Sequence, residues 1–125
     1  MEGKEKEEVF VVSKEDTALV VGSGTLEVLA TPRLAAMMEN VAMSMVQDEL
    51  ETGSTTVGTN INISHMAATP VGCSVRVKAT VTRVSGRKIE YRLLAYDDVE
   101  KIAEGIHERY IVDVARFLSK SQKKI

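Results

Sequence analysis

A chain of 125 residues, 44% hydrophobic and 27% charged, has room for one core and the balance of a globular protein, so a single domain over 1–125 is expected. Its net charge of -2 supplies no surplus of cations to neutralise phosphates, which argues against a nucleic-acid partner. The one cysteine, Cys73, excludes an intrachain disulfide and a thiolate metal cluster and fits a reducing cytoplasm; no run of about twenty apolar residues offers a membrane-spanning helix.

Met1–Glu8 is a charge cluster with no apolar centre, unlike a secretory signal, and reads as a flexible, solvated leader. Val9-Phe10-Val11-Val12 is β-branched and apolar, which favours a strand. Ala18-Leu19-Val20-Val21 reads as a second short strand, broken by Gly22-Ser23-Gly24. The strong helix runs from Pro32 to about Glu51. Thr31 is suited to cap it, Pro32 fits its first position, and Leu34, Met38, Val41 and Met45 make one apolar stripe. Gly53 follows as a candidate end cap.

The period then changes to two. Val57 to Met66 reads as a strand with Val57, Thr59, Ile61, Ile63 and His65 on one face, closed off by Thr69-Pro70. From Ser74, the residues Val75, Val77, Ala79 and Val81 alternate with Arg76, Lys78, Thr80 and Thr82 in a long half-exposed strand reaching about Val84. Ser85-Gly86 turns the chain into Ile89, Tyr91, Leu93 and Ala95, and Asp97-Asp98 turns it again. The last strand spans about Lys101 to Val114, with a kink expected near Gly105. Ser119–Ile125 is a basic tail expected to fray. One helix among strands, without strand–helix–strand alternation, points to an α+β fold: an antiparallel sheet carrying a single long helix.

Most chemical motifs are absent. There is no glycine-rich phosphate loop, paired-histidine zinc motif or G-x-S-x-G turn, and two histidines are too few for a histidine-built metal site. Three residues remain. Glu39 sits among alanines beside the apolar stripe, where a carboxylate is either solvated or desolvated in the way general bases are. His65 shares a face with Ile61 and Ile63, as a packed core histidine or as a proton carrier. Thr31 stands at a helix N-terminus, a position that caps the helix and also attracts negative charge.

Ala30-Thr31, Met38-Glu39, Gly58, His65 with Ala67-Ala68-Thr69-Pro70, and Gly105 with His107-Glu108-Arg109 together resemble the fluoroacetyl-CoA thioesterase group of hot-dog proteins, over about Thr25 to Phe117. The resemblance implies the hot-dog fold, a long helix wrapped by an antiparallel sheet. It further implies a homodimer or dimer of dimers, with active sites at the subunit interface. The implied reaction is hydrolysis of an acyl-CoA thioester, with CoA part of the substrate and no other cofactor or metal. It places the family's catalytic threonine, glutamate and histidine on Thr31, Glu39 and His65, its acyl-site glycine on Gly58 and its arginine on Arg109. The match departs at Leu26-Glu27-Val28-Leu29, which lacks the family member's gating phenylalanines, and at Asn40, where that enzyme has tryptophan. Fluoroacetyl selectivity is therefore not carried over.

Glu39 would attack the thioester carbonyl or activate water, His65 would move the proton, Thr31 would orient Glu39 or the carbonyl, and a backbone N–H near Gly58 would meet the oxyanion. Arg109 is either a ligand contact or an exposed strand residue. Arg83, Arg87 and Lys88 either meet CoA phosphates or form a solvated hairpin tip, and Met37, Met38, Met43 and Met45 are core or tunnel. An enoyl-CoA hydratase, which needs an aspartate beside the histidine, and a non-catalytic acyl-CoA binding module are the competing readings.

Overall fold

The computed structural model describes residues 1–125. Its elements are β1 (Glu5–Val11), a single 3-10 turn (Lys14–Asp16), α1 (Ala18–Val21), α2 (Thr31–Gln47), β2 (Ser54–His65), β3 (Ser74–Ser85), β4 (Lys88–Tyr96), β5 (Lys101–Asp113) and α3 (Val114–Gln122). The five strands form one antiparallel sheet in the order β1-β3-β4-β5-β2. The expected α+β architecture holds: α2 lies against the sheet and buries Leu34, Met37, Met38, Val41, Ala42, Met45 and Val46. These meet Val75, Val77, Ala79 and Val81 of β3 and Ile89, Tyr91, Leu93 and Ala95 of β4 in one core. No helix is long and apolar enough to cross a membrane.

Helix α2 starts as Pro32 dictates but ends early. Beyond Gln47 come Asp48, Glu49 and Glu51, and negative charge at a helix C-terminus opposes the macrodipole. Gly53 lies in the following turn at φ 89° rather than capping the helix. The N-cap is Ala30, not Thr31, and it makes no side-chain cap bond.

Four further expectations are corrected. The charged leader is ordered: β1 begins at Glu5, Glu5 and Glu7 pair across to Lys78 and Arg76 at 3.2 and 3.4 Å, and Lys4 bridges Glu49 at 2.7 Å. Alternating charge suits an edge strand with a complementary neighbour. Ala18–Val21 is one helical turn, because Thr17 accepts a bond from the Val20 N–H and Gly22 closes the turn at φ 89°. The C-terminal tail is helical through Gln122, with Asp113 capping the Arg116 N–H at 3.0 Å. Finally, the sheet runs through Gly105 in register. Its glycine is needed because a Cβ there would collide with the Asn62 carbonyl.

Two bulges set which side chains face the helix. On β3 the register shifts between Val81 and Arg83, which brings Val84 toward the core. On β2 it shifts between Gly58 and Asn60, leaving Thr59 without a partner. Parity therefore changes there. Ile61 and Ile63 pack on the core as expected, but before the bulge it is Thr56, not Val57, that is buried.

Candidate active site

Thr31 and His65 meet. The hydroxyl released from helix capping lies 2.8 Å from His65 Nδ1, joining the first turn of α2 to the end of β2. The other ring nitrogen, Nε2, is buried and has no hydrogen-bond partner in the chain. An orphaned buried polar atom costs about 1–3 kcal/mol, so this is a place where folding alone gains nothing. Burial holds the imidazole below its ordinary value of 6.5, the Ala67 backbone opposing from outside hydrogen-bond geometry. The ring is thus neutral at physiological pH. Both residues line an open cleft of about 290 Å³ whose other walls include Ala18, Ala30, Ala67 and Ala68.

Glu39, Gly58 and Arg109 form a second group. Glu39 projects from α2 toward β2 and β5, with one carboxylate oxygen 3.9 Å from Arg109 Nη1. A Cβ on Gly58 would sit 2.8 Å from that oxygen and 3.2 Å from Nη1, so glycine is what lets the three approach. The Glu39 side chain is 42% exposed and faces a guanidinium, so of the two settings open to it, solvated or desolvated, it takes the more solvated one. Arg109 is not an exposed strand arginine. It is 7% exposed, and Thr56 takes two of its donors, from Nε to the hydroxyl at 2.8 Å and from Nη2 to the carbonyl at 3.0 Å. Burial draws the guanidinium below its ordinary value, with Tyr91 and Glu39 opposing; it stays charged.

Within one chain no hydrogen bond or ion pair joins these groups: His65 bonds to Thr31 and Glu39 faces Arg109. No aspartate hydrogen-bonds the His65 ring, so the pair a hydratase reading needs is not made within the chain. The hairpin tip keeps its own charges, with Lys88 on Glu108 at 3.1 Å and Glu90 at 3.4 Å, and Arg83 and Arg87 exposed. Met37, Met38 and Met45 are core.

Sequence reasoning missed the support behind Arg109. His107 is 3% exposed, stacks on Tyr91 at 5.6 Å, accepts from Arg109 Nη1 at 3.2 Å and donates from Nδ1 to the Asn60 carbonyl at 2.6 Å. Tyr91 in turn donates to the Ala42 carbonyl of α2 at 3.1 Å, and burial pushes its phenol up to about 12. The β4–β5 register pairs Tyr91 directly with His107, which puts the two rings on one face.

Comparison with known proteins identifies relatives over most of the chain. The profile of the fluoroacetyl-CoA-specific thioesterase family matches residues 12–115. The chain is 37% identical over 98 residues to the fluoroacetyl-CoA thioesterase of Streptantibioticus cattleyicolor, covering 78% of this chain and 70% of that one. A structure of the fluoroacetyl-CoA thioesterase FlK superposes with a TM-score of 0.96 at 31% identity, over 100% of this chain and 97% of that chain. A thioesterase superfamily member of Thermus thermophilus superposes at 0.91 with 26% identity, covering 98% and 91%. The hot-dog sheet, the helix it wraps and the matched residues leave one assignment: this chain belongs to the fluoroacetyl-CoA-specific thioesterase family.

Proposed function

We propose that the protein hydrolyses small acyl-CoA thioesters in the cytoplasm, using sites shared between two copies of the chain. The observation that carries this is the Thr31–His65 pair on the wall of the cleft, a neutral imidazole whose buried Nε2 has no partner within its own chain. If Nδ1–H donates to Thr31, Nε2 presents a lone pair to a proton and the Thr31 hydroxyl keeps its own proton for the thioester carbonyl. An oxygen nucleophile, from water or from the Glu39 carboxylate, adds to the carbonyl carbon. With water, the C–S bond then breaks and the thiolate leaves with the proton His65 took from that water. With Glu39, C–S cleavage gives a mixed anhydride and free thiolate, and a second-step water deprotonated by His65 hydrolyses the anhydride and restores the carboxylate. The Gly58 backbone N–H is the proposed oxyanion donor, and Arg109 the proposed contact for the acyl end.

Small alanines in the cleft, and no phenylalanine, fit acetyl- to butyryl-sized groups without a fluoroacetyl preference. A variant of FlK has been solved with fluoroacetate and CoA, which makes CoA esters the first substrates to assay.

The edges of the sheet support the proposal of a second copy. Edge strand β1 carries Glu5, Lys6, Glu7 and Glu8, whereas edge strand β2 (STTVGTNINISH) has no Asp, Glu, Lys or Arg. Unguarded edges invite strand pairing. Antiparallel pairing of two β2 strands would carry the Glu39–Gly58–Arg109 group of one chain toward the Thr31–His65 pair of its twin. Purified protein should release CoA from acetyl-, propionyl- and butyryl-CoA, and Glu39→Gln or His65→Ala should each lower turnover at least about a hundredfold. Co-expressing the two inactive chains should restore about a quarter of the wild-type rate, because half of the mixed dimers' sites are intact. No hydrolysis by the wild type overturns the activity, and no recovery on mixing overturns the shared site.

A further inference from the structure

The Arg109 guanidinium is anchored along one edge only. Nε and Nη2 both go to Thr56, and the remaining nitrogen, Nη1, makes its one hydrogen bond to His107, with the Glu39 carboxylate 3.9 Å away and Gly58 beside it. His107 is itself fixed on three sides: by the Asn60 carbonyl at 2.6 Å, by the Tyr91 ring at an interplanar angle of 28°, and by Arg109. The bonding leaves no choice of protonation. A carbonyl only accepts, so Nδ1 carries a hydrogen; a guanidinium only donates, so Nε2 carries none.

Resting on the thioesterase reading above, we propose that His107 is a positioning residue. Locked as the neutral Nδ1–H tautomer, it aims Arg109 Nη1 at the acyl end of the site, and a second proton on the ring releases that guanidinium. A doubly protonated ring would set an N–H against an N–H and two like charges 3.2 Å apart. The Asn60 carbonyl that holds the ring belongs to the bulge beside Gly58, so the same imidazole ties the arginine to the segment carrying the proposed oxyanion donor.

The charged groups around the ring come from every element packed on it. Burial, and after it Arg109, oppose protonation; the Asn60 carbonyl from β2, Glu39 from α2 and Glu108 from β5 favour it; Tyr91 from β4 carries no charge. Burial outweighs the rest and holds the ring below its ordinary value. The neutral lock therefore persists through neutral pH and opens in acid.

Two measurements on the intact protein test this. Long-range ¹H–¹⁵N NMR, with the two imidazoles told apart in a His65→Gln sample, should show Nδ1–H for His107, and the Arg109 Nε–H signal should move at the His107 midpoint. A ring with hydrogen on Nε2 at neutral pH, or an Arg109 signal indifferent to that midpoint, overturns the proposal whether or not the protein is an enzyme. In acetyl-CoA hydrolysis, His107→Phe keeps the ring on Tyr91 without the acceptor and should lose about ten- to a hundredfold in kcat/KM at pH 8. His107→Gln keeps an acceptor that cannot titrate; it should stay within about threefold of wild type at pH 8 and retain more of its rate below pH 6. A Phe variant that is folded and as fast as wild type across the pH range overturns the proposal. If that variant does not fold, the Gln profile and the NMR titration still decide. An inactive wild type refutes the thioesterase reading and leaves the NMR result to judge the lock.

Discussion

The Thr31 hydroxyl had two partners open to it, a free N–H of the first helical turn or the imidazole from β2, and it takes the imidazole at 2.8 Å. Removing it strips the His65 imidazole of its one hydrogen bond. Thr31→Val should therefore cut kcat/KM by about ten- to a hundredfold while Thr31→Ser keeps most of it, as steady-state kinetics would reveal. Both histidines are held below 6.5, so folding favours their neutral forms. Their contribution to stability is complete above the unfolded value and is lost as the pH falls through the depressed folded values. Calorimetry from pH 8 downward should show a flat unfolding temperature that drops once the pH passes below about 6.5, less steeply in His107→Gln. Thr31, Glu39 and His65 stood out in the sequence because each is polar where a helix start, a small-residue face or an apolar strand face did not call for it. The burial of Arg109 did not stand out. A strand arginine looks the same in sequence whether it points to water or, as here, into Thr56 and His107.

At the scale of elements, the two glycines of the β2–β5 pair have opposite jobs. Gly58 leaves room for the end of a flexible carboxylate, whereas Gly105 leaves room for backbone. Gly58→Ala should thus cost little stability and at least about tenfold in turnover. Gly105→Ala should destabilise by about 1–3 kcal/mol or more in urea titration, since the strands themselves must part. Core substitution is simpler: Met38→Ala, at a fully buried position, should cost about 2–5 kcal/mol. The long helix, β4 and the first eight residues of β3 were legible because their periods are sustained, and β5 because turns bound it. What failed was short or interrupted. One turn of helix at Ala18–Val21 is too brief to show a period, the leader's strand is written in cross-strand charge rather than apolar residues, and an extra residue at Thr59 reverses the parity of β2 halfway along. That reversal is why Thr56, the anchor of Arg109, could not be read from the pattern that correctly faced Ile61 inward.

At the scale of the whole molecule, the proposed sharing of sites makes activity depend on concentration. Dilution below the dissociation constant should lower specific activity together with the mass measured by light scattering, and restoring the concentration should recover both. The two edges of the sheet also decide what happens after the first association. Once the plain edges of β2 are joined, the assembly presents only the charge-lined β1 strands at its ends. Such a strip is self-terminating: it has a place to begin and no place to continue. Exchanging Glu5, Glu7 and Glu8 for threonine would take away the stop and should turn a discrete particle into open-ended strands that scatter light and bind amyloid dyes.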